Sequence, residues 1–196
     1  MGDTGDTKAG LLVVAFTTTT ELYDWLLVHY ATCPGIWLRM YKKASGQTSI
    51  TWAEAVEVAL CFGWIDSVKN TYDDASFIQK FTPRRARSMW SKKNCQTAER
   101  LIDAGLMQPA GQVQIDAAKA DGRWDLAYES PSNMTVPADF IVRLRAYPAA
   151  EAFYNTLNKT NLYAIAFRLT TAKRPETRQR RVETIIAMLN EGKKFH

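Results

Sequence analysis

Beyond Pro83 every apolar stretch repeats with helical period, and each is bracketed by residues that start or stop helices. Proline stands at 109, 137, 148 and 175, where it suits a first helical turn because its missing amide proton would have no intrahelical partner there. Glycine stands at 105, 122 and 192, where it ends a helix in the left-handed conformation without a Cβ clash. The pattern predicts helices over Ser91 to Ala104, from Pro109 to Gly122, and from Pro137, Pro148, Thr160 and Pro175. The last carries Val182, Ile185, Ile186 and Leu189 on one face. Short links between such helices favour antiparallel neighbours in a bundle. Any sheet must therefore come from the first 83 residues.

That first part supplies it. Leu11 to Phe16 and Ile36 to Tyr41 read as strands, and Trp64 to Lys69 with Ser76 to Phe81 read as a hairpin turning at Asn70 to Asp74. Between them Thr20 caps a helix carrying Leu22, Trp25, Leu26 and His29. Thr51 and Glu54 form a capping box for a second helix, with Ile50 as a staple against Ala55. That helix buries Ala55, Val56, Ala59 and Leu60 and stops at Gly63. The expectation is an α+β protein, with a small N-terminal antiparallel or mixed sheet of about four strands covered by helices. A C-terminal helical bundle follows. Residues 1–10 read as a disordered leader, and 11–196 as a single compact domain made of a sheet part, 11–90, and a helical part, 91–196.

Composition narrows the class. Of 196 residues 46% are apolar and 23% charged, which suits one sizeable core and disfavours wholesale disorder. No apolar run approaches the roughly 18 to 20 residues that span a bilayer, and Leu11 to Phe16 is too short and too acidic in its approach for an export signal. A soluble, cytoplasmic protein without membrane insertion is expected. The net charge of +5 is segregated. Met1 to Gln79 holds five basic and nine acidic residues, Lys80 to Arg100 seven and one, Leu101 to Ala164 five and seven, and Ile165 to His196 eight and three. Two segments carry all the excess, and such segregation focuses a positive potential if the fold joins them. Two separate solvated helix faces would carry the same charge.

Chemistry-bearing motifs are few. Glycine-rich nucleotide loops, the paired-histidine zinc motif and the serine nucleophile elbow are all absent. Cys33, Cys61 and Cys95 are scattered, and His29 and His196 are the histidines, so no metal site and no cofactor is expected. A Cys61–His29 pair is the alternative to an inert core cysteine. Asp66 lies on Trp64's side of its strand, either braced by an arginine such as Arg84 or acting as an acid or base. Arg84, Arg85, Ser91 and Lys92 in the middle basic segment, and Lys173, Arg174, Arg178 and Arg181 in the last, are the candidate ligand-binding residues. Guanidinium forks match phosphate and carboxylate oxygens, and both segments adjoin helix starts. Arg178 and Arg181 share a helix face, whereas Arg180 points elsewhere. Ser91 also serves as a helix cap, and Trp90 either stacks on a base or plugs the core.

Four stretches carry a resemblance: 59–66 (ALCFGWID), 81–85 (FTPRR), 88–94 (SMWSKKN) and 172–178 (AKRPETR). Together with 105–107, 109–111 and 122–124 they resemble, in order from about Phe16 to Lys194, the YdeI/OmpD-associated family, also labelled bacteriocin-protection. Ser67 stands where many relatives have glycine, which loosens the bend after Asp66. The resemblance implies a link to stress or bacteriocin resistance and transfers no catalytic set onto Asp66, Arg84 or Arg178. Three function classes follow from the residues. One is a binding module for a small anionic ligand, such as a phosphorylated metabolite, or for nucleic acid. The second is an adaptor or interaction protein without a ligand site. The third is an enzyme using Asp66 with neighbouring arginines. Oligomeric state is left open.

Overall fold

Two parallel strands, β2 (Leu11–Ala15) and β3 (Ile36–Tyr41), organise the first part of the molecule. Parallel neighbours need a crossover, and α1 (Thr19–His29) is that crossover. The structure, a computed structural model, describes residues 6–129 and 133–196. With β1 (Thr7–Lys8), β4 (Trp64–Thr71) and β5 (Ser76–Pro83) the strands form one mixed sheet, in the order β1-β2-β3-β5-β4. Every pair except β2–β3 is antiparallel. The sheet has five strands rather than four, because Thr7 and Lys8 pair with Leu12 and Leu11 and cover an otherwise open edge. The Asp6 carbonyl accepts from the Val13 amide at 2.9 Å, and the Lys8 carbonyl from Trp37 Nε1 at 3.0 Å. Residues 6–10 are thus tied to the sheet rather than forming part of a disordered leader, while residues 1–5 of that expected leader lie outside the described residues.

Capping chemistry sets the helix starts. Thr18, not Thr20, caps α1, because Glu21 stands three residues beyond it and closes the reciprocal box; the Thr17 hydroxyl also binds that carboxylate, at 2.7 Å. Thr51 and Glu54 cap α2 (Trp52–Cys61) as expected, and Ile50 and Ala55 are both buried. On α2 it is Val58 rather than Val56 that joins Ala55, Ala59 and Leu60 in the core. Gly63 ends the helix at φ +71, and a Cβ there would stand 2.8 Å from the Ala110 carbonyl. Ile36, Leu38, Met40 and Phe81 are buried on one face of the sheet, while Val13, Trp37 and Ile78 form a small core on the other.

The chain groups into two units, Met1–Trp90 with Asn94–Leu126, and Ser91–Lys93 with Ala127–His196. The sheet unit takes in most of α3 (Lys92–Asp103) and all of α4 (Pro109–Ala120), so it reaches well past residue 90. Close backbone packing explains this: the Gln108 amide donates to the Cys61 carbonyl at 3.2 Å, and a Cβ on Gly111 would lie 2.4 Å from that same oxygen.

The second unit is a bundle of α5 (Ala138–Leu144), α6 (Pro148–Tyr154), α7 (Lys159–Thr170) and α8 (Pro175–Asn190). Val182, Ile185, Ile186 and Leu189 of α8 meet Phe140, Leu144, Ala150, Ile165 and Leu169 in its core. Asn158 rather than Thr160 caps α7, its side-chain oxygen accepting from the Asn161 amide at 3.0 Å. No helix among the described residues is long and apolar enough to cross a membrane.

Candidate functional site

Asp66 pairs in register with Phe81, and the strand ladder slips between Asp66 and Lys69. Its Oδ2 accepts from Trp52 Nε1 at 3.0 Å and from Gln79 Nε2 at 3.2 Å. The brace expected from Arg84 is replaced by these two neutral donors, which tie the first turn of α2 to the hairpin. Alternation explains the difference, because Arg84 continues β5 on the face opposite Phe81 and hence opposite Asp66. Arg84 is buried, at 7% exposure. Its guanidinium carbon lies 3.7 Å from the centre of the Trp90 ring, and Nη1 donates to the Met89 carbonyl at 3.2 Å. Trp90 is a core plug, its other neighbour being Trp124 with ring centres 4.9 Å apart.

Just beyond, Arg85 to Ser88 form a tight turn, with the Ser88 amide donating to the Arg85 carbonyl at 2.9 Å and the Arg85 amide to Ser88 Oγ at 3.0 Å. Arg123 Nη1 holds the Ser88 carbonyl from below at 2.8 Å, and Asp121 in turn fixes Arg123 at 2.6 Å. The turn therefore presents Arg85 and Arg87 on a rigid support. Both are exposed, and neither guanidinium has a partner among the described residues.

The remaining sequence-predicted residues belong to the second unit. Ser91 bridges in parallel to Tyr128, and Lys92 forms an ion pair with Glu129. Arg178 Nη2 lies 2.8 and 2.7 Å from the two oxygens of Asp139, which ties α8 to α5. Arg181 Nη1 donates to the Arg168 carbonyl at 2.6 Å and to Thr171 Oγ1 at 3.3 Å, closing the last turn of α7. Arg178 and Arg181 do share a side of α8, and both are used up within the bundle. Lys173 and Arg174 are exposed just ahead of Pro175, and Arg174 makes no side-chain cap bond; neither they nor Arg180 has a side-chain partner among the described residues. Arg84 and Arg85 thus fall in the first unit, and Ser91, Lys92, Lys173, Arg174, Arg178 and Arg181 in the second.

Cys61 is buried, and that burial, with Glu57 nearby, pushes its thiol up to about 11. Such a thiol stays protonated at neutral pH and makes a poor nucleophile. His29 stacks on Trp25, with ring centres 4.6 Å apart. The first unit also holds a cleft of about 310 Å³, lined by Thr19, Thr20 and Tyr23 of α1, Glu54, Glu57, Val58 and Cys61 of α2, and Leu101 and Leu106. Sequence reading missed it, since its walls come from separate segments. The signal present was the α2 stripe at spacings of three, four and seven.

Comparison with known families divides the chain in a similar way. Residues 14–114, from β2 through the first half of α4, match the family described as "Domain of unknown function (DUF8412)". Residues 133–192, the α5–α8 bundle, match "Bacteriocin-protection, YdeI or OmpD-Associated". The resemblance read along the whole chain is therefore matched in its C-terminal part, and the stretches between residues 59 and 94 fall within the other family's span. No curated protein and no solved structure matches the chain.

Proposed function

The chain belongs to the DUF8412 family, a domain of unknown function, and on that premise we propose that it is a binding protein for phosphate-bearing or other small anions, acting by recognition rather than catalysis. One observation carries the reading: intramolecular bonding divides the basic residues into two sets. Arg84, Lys92, Arg178 and Arg181 serve the fold, whereas Arg85 with Arg87, on a hydrogen-bonded turn, and Lys173 with Arg174, just ahead of α8, stand exposed. The second pair adjoins the start of a 16-residue helix, where unbonded backbone amides also attract negative charge. Glu176 in the same turn offsets part of that field. The match over residues 133–192 supports bacteriocin or stress resistance as the physiological setting.

The test is titration with phosphate, nucleotides and short single-stranded DNA at two salt concentrations. It compares the parent protein with Arg85→Ala/Arg87→Ala and Lys173→Ala/Arg174→Ala variants. Each pair of substitutions is expected to weaken nucleotide binding by about tenfold, the size of one lost charge-assisted bond. A weak response equal for every anion, and equal in both variants, overturns the reading. Single-stranded DNA that outbinds nucleotides and weakens steeply with salt would shift it to nucleic acid.

A further inference from the structure

The cleft of the first unit has a direction built into it. Along one face of α2, Glu54 and Glu57 stand toward the helix start, and Val58 and Cys61 follow toward its end. Leu101 and Leu106 continue the apolar half, and the α1 residues Thr19, Thr20 and Tyr23 form a wall with hydroxyls. Both carboxyls in the lining are acids of α2, and among the described residues the lining holds no cationic side chain, the cation beside it being Arg100 on Glu57. The Thr51 amide and hydroxyl hold the Glu54 carboxyl below the usual carboxylate range, so it is ionised at neutral pH. Glu57 Oε1 is paired with Arg100 Nη2 at 2.5 Å, but the two side chains are 43% and 55% exposed. An ion pair so open to water is weak and readily exchanged. Tyr23 Oη accepts from Gln108 Nε2 at 2.7 Å, which leaves its own proton to donate. Cys61, kept protonated by burial, adds to the apolar half.

We infer that this cleft binds a small organic cation, a primary amine on an apolar body, which lies along α2 with its ammonium at Glu54 and Glu57 and its body against Val58, Cys61, Leu101 and Leu106. The volume of about 310 Å³ is at the lower end of ligand pockets. That size suits a compact ligand such as an aryl-ethylamine. None of the residues proposed for anion recognition lines the cleft, so the two readings stand or fall separately.

The experiment is isothermal titration of the full chain with phenethylamine, phenylethyl alcohol and phenylpropionate, probes of similar size that differ in charge. Phenethylamine is expected to bind about tenfold more tightly than the alcohol, as befits one charge-assisted contact, and the carboxylate not at all. Glu57→Gln removes most of that preference. Leu106→Arg, at a 53% exposed position, abolishes amine binding by placing a cation in the cleft, with an unchanged urea midpoint as the check that the variant is folded. Arg100→Ala strengthens it by freeing Glu57. Equal affinity for all three probes, no amine binding at millimolar concentration, or amine binding unchanged by both Glu57→Gln and Leu106→Arg would each overturn the inference.

Discussion

Replacing Arg181 by Ala is expected to destabilise the α5–α8 bundle without changing anion binding. Arg181 donates at 2.6 Å to a carbonyl in the last turn of α7 that has no helical amide to satisfy it, and at 3.3 Å to Thr171. A bond from a charged donor contributes about 1.5 to 3 kcal/mol, and the partial exposure of Arg181 places it near the low end, at about 1 to 2 kcal/mol. Arg178 and Asp139 are 33% and 62% exposed, so that bridge contributes about 0.2 to 1 kcal/mol despite its short contacts. The two ties reach different helices and share no partner, so the double variant loses about 1.2 to 3 kcal/mol. Urea unfolding followed by far-ultraviolet circular dichroism measures the loss, and with a slope of about 2 kcal/mol per molar urea the midpoint falls by about 0.6 to 1.5 M. Tryptophan fluorescence serves as an internal control, since all six tryptophans lie in the first unit. An unchanged midpoint together with lost nucleotide binding would refute the reasoning and return both arginines to the ligand.

Trp64 is 1% exposed and donates from Nε1 to the Tyr30 carbonyl at 3.1 Å, so Trp64→Ala is expected to cost about 3 to 5 kcal/mol, and a loss below about 1 kcal/mol in urea melts would contradict its burial. Asn161 is buried and accepts at 3.1 Å from the amides of Phe195 and His196, so Asn161→Ala should release those residues to fast hydrogen exchange and cost about 1 to 3 kcal/mol. Unchanged protection there would disprove the tie. The Glu21 and Glu54 carboxyls are both held below the usual range, the first chiefly by the Thr17 hydroxyl and the second chiefly by the Thr51 amide. Because the folded pKa is the lower one, their contribution is present above the unfolded value of about 4.3 and fades as pH falls through the folded value. Glu54→Gln should therefore flatten part of the loss of stability below about pH 4.3, and superimposable acid profiles would exclude the effect.

Elements signalled by local chemistry were legible in the sequence. The Thr51–Glu54 box, the glycine stops and the prolines at helix starts each act within one turn, and α2, α4, α6 and α8 follow them closely. Strand β1 was not legible, because two residues gain strand geometry only from the edge they cover. The caps at Thr18 and Asn158 were displaced by two residues because several Thr and Asn side chains near each start compete, and the choice depends on which carboxylate or amide each meets. At the candidate site, sequence picked out the basic segments but not their use. Arg84 and Trp90 stack through a loop closure, and Arg178 meets Asp139 from a helix 39 residues away, distances at which charge runs carry no pairing information.

The central claim is that exposed, uncommitted cations at Arg85–Ser88 and Lys173–Thr177 recognise anions. Nitrogen–proton correlation spectra recorded during a pyrophosphate titration test it most directly, because each backbone amide reports its own surroundings. Saturable shifts confined to residues 85–88 and 173–177, and abolished in the first segment by Arg85→Ala/Arg87→Ala, are the predicted result. Spectra that do not move, or that move linearly and everywhere with added salt, would contradict it.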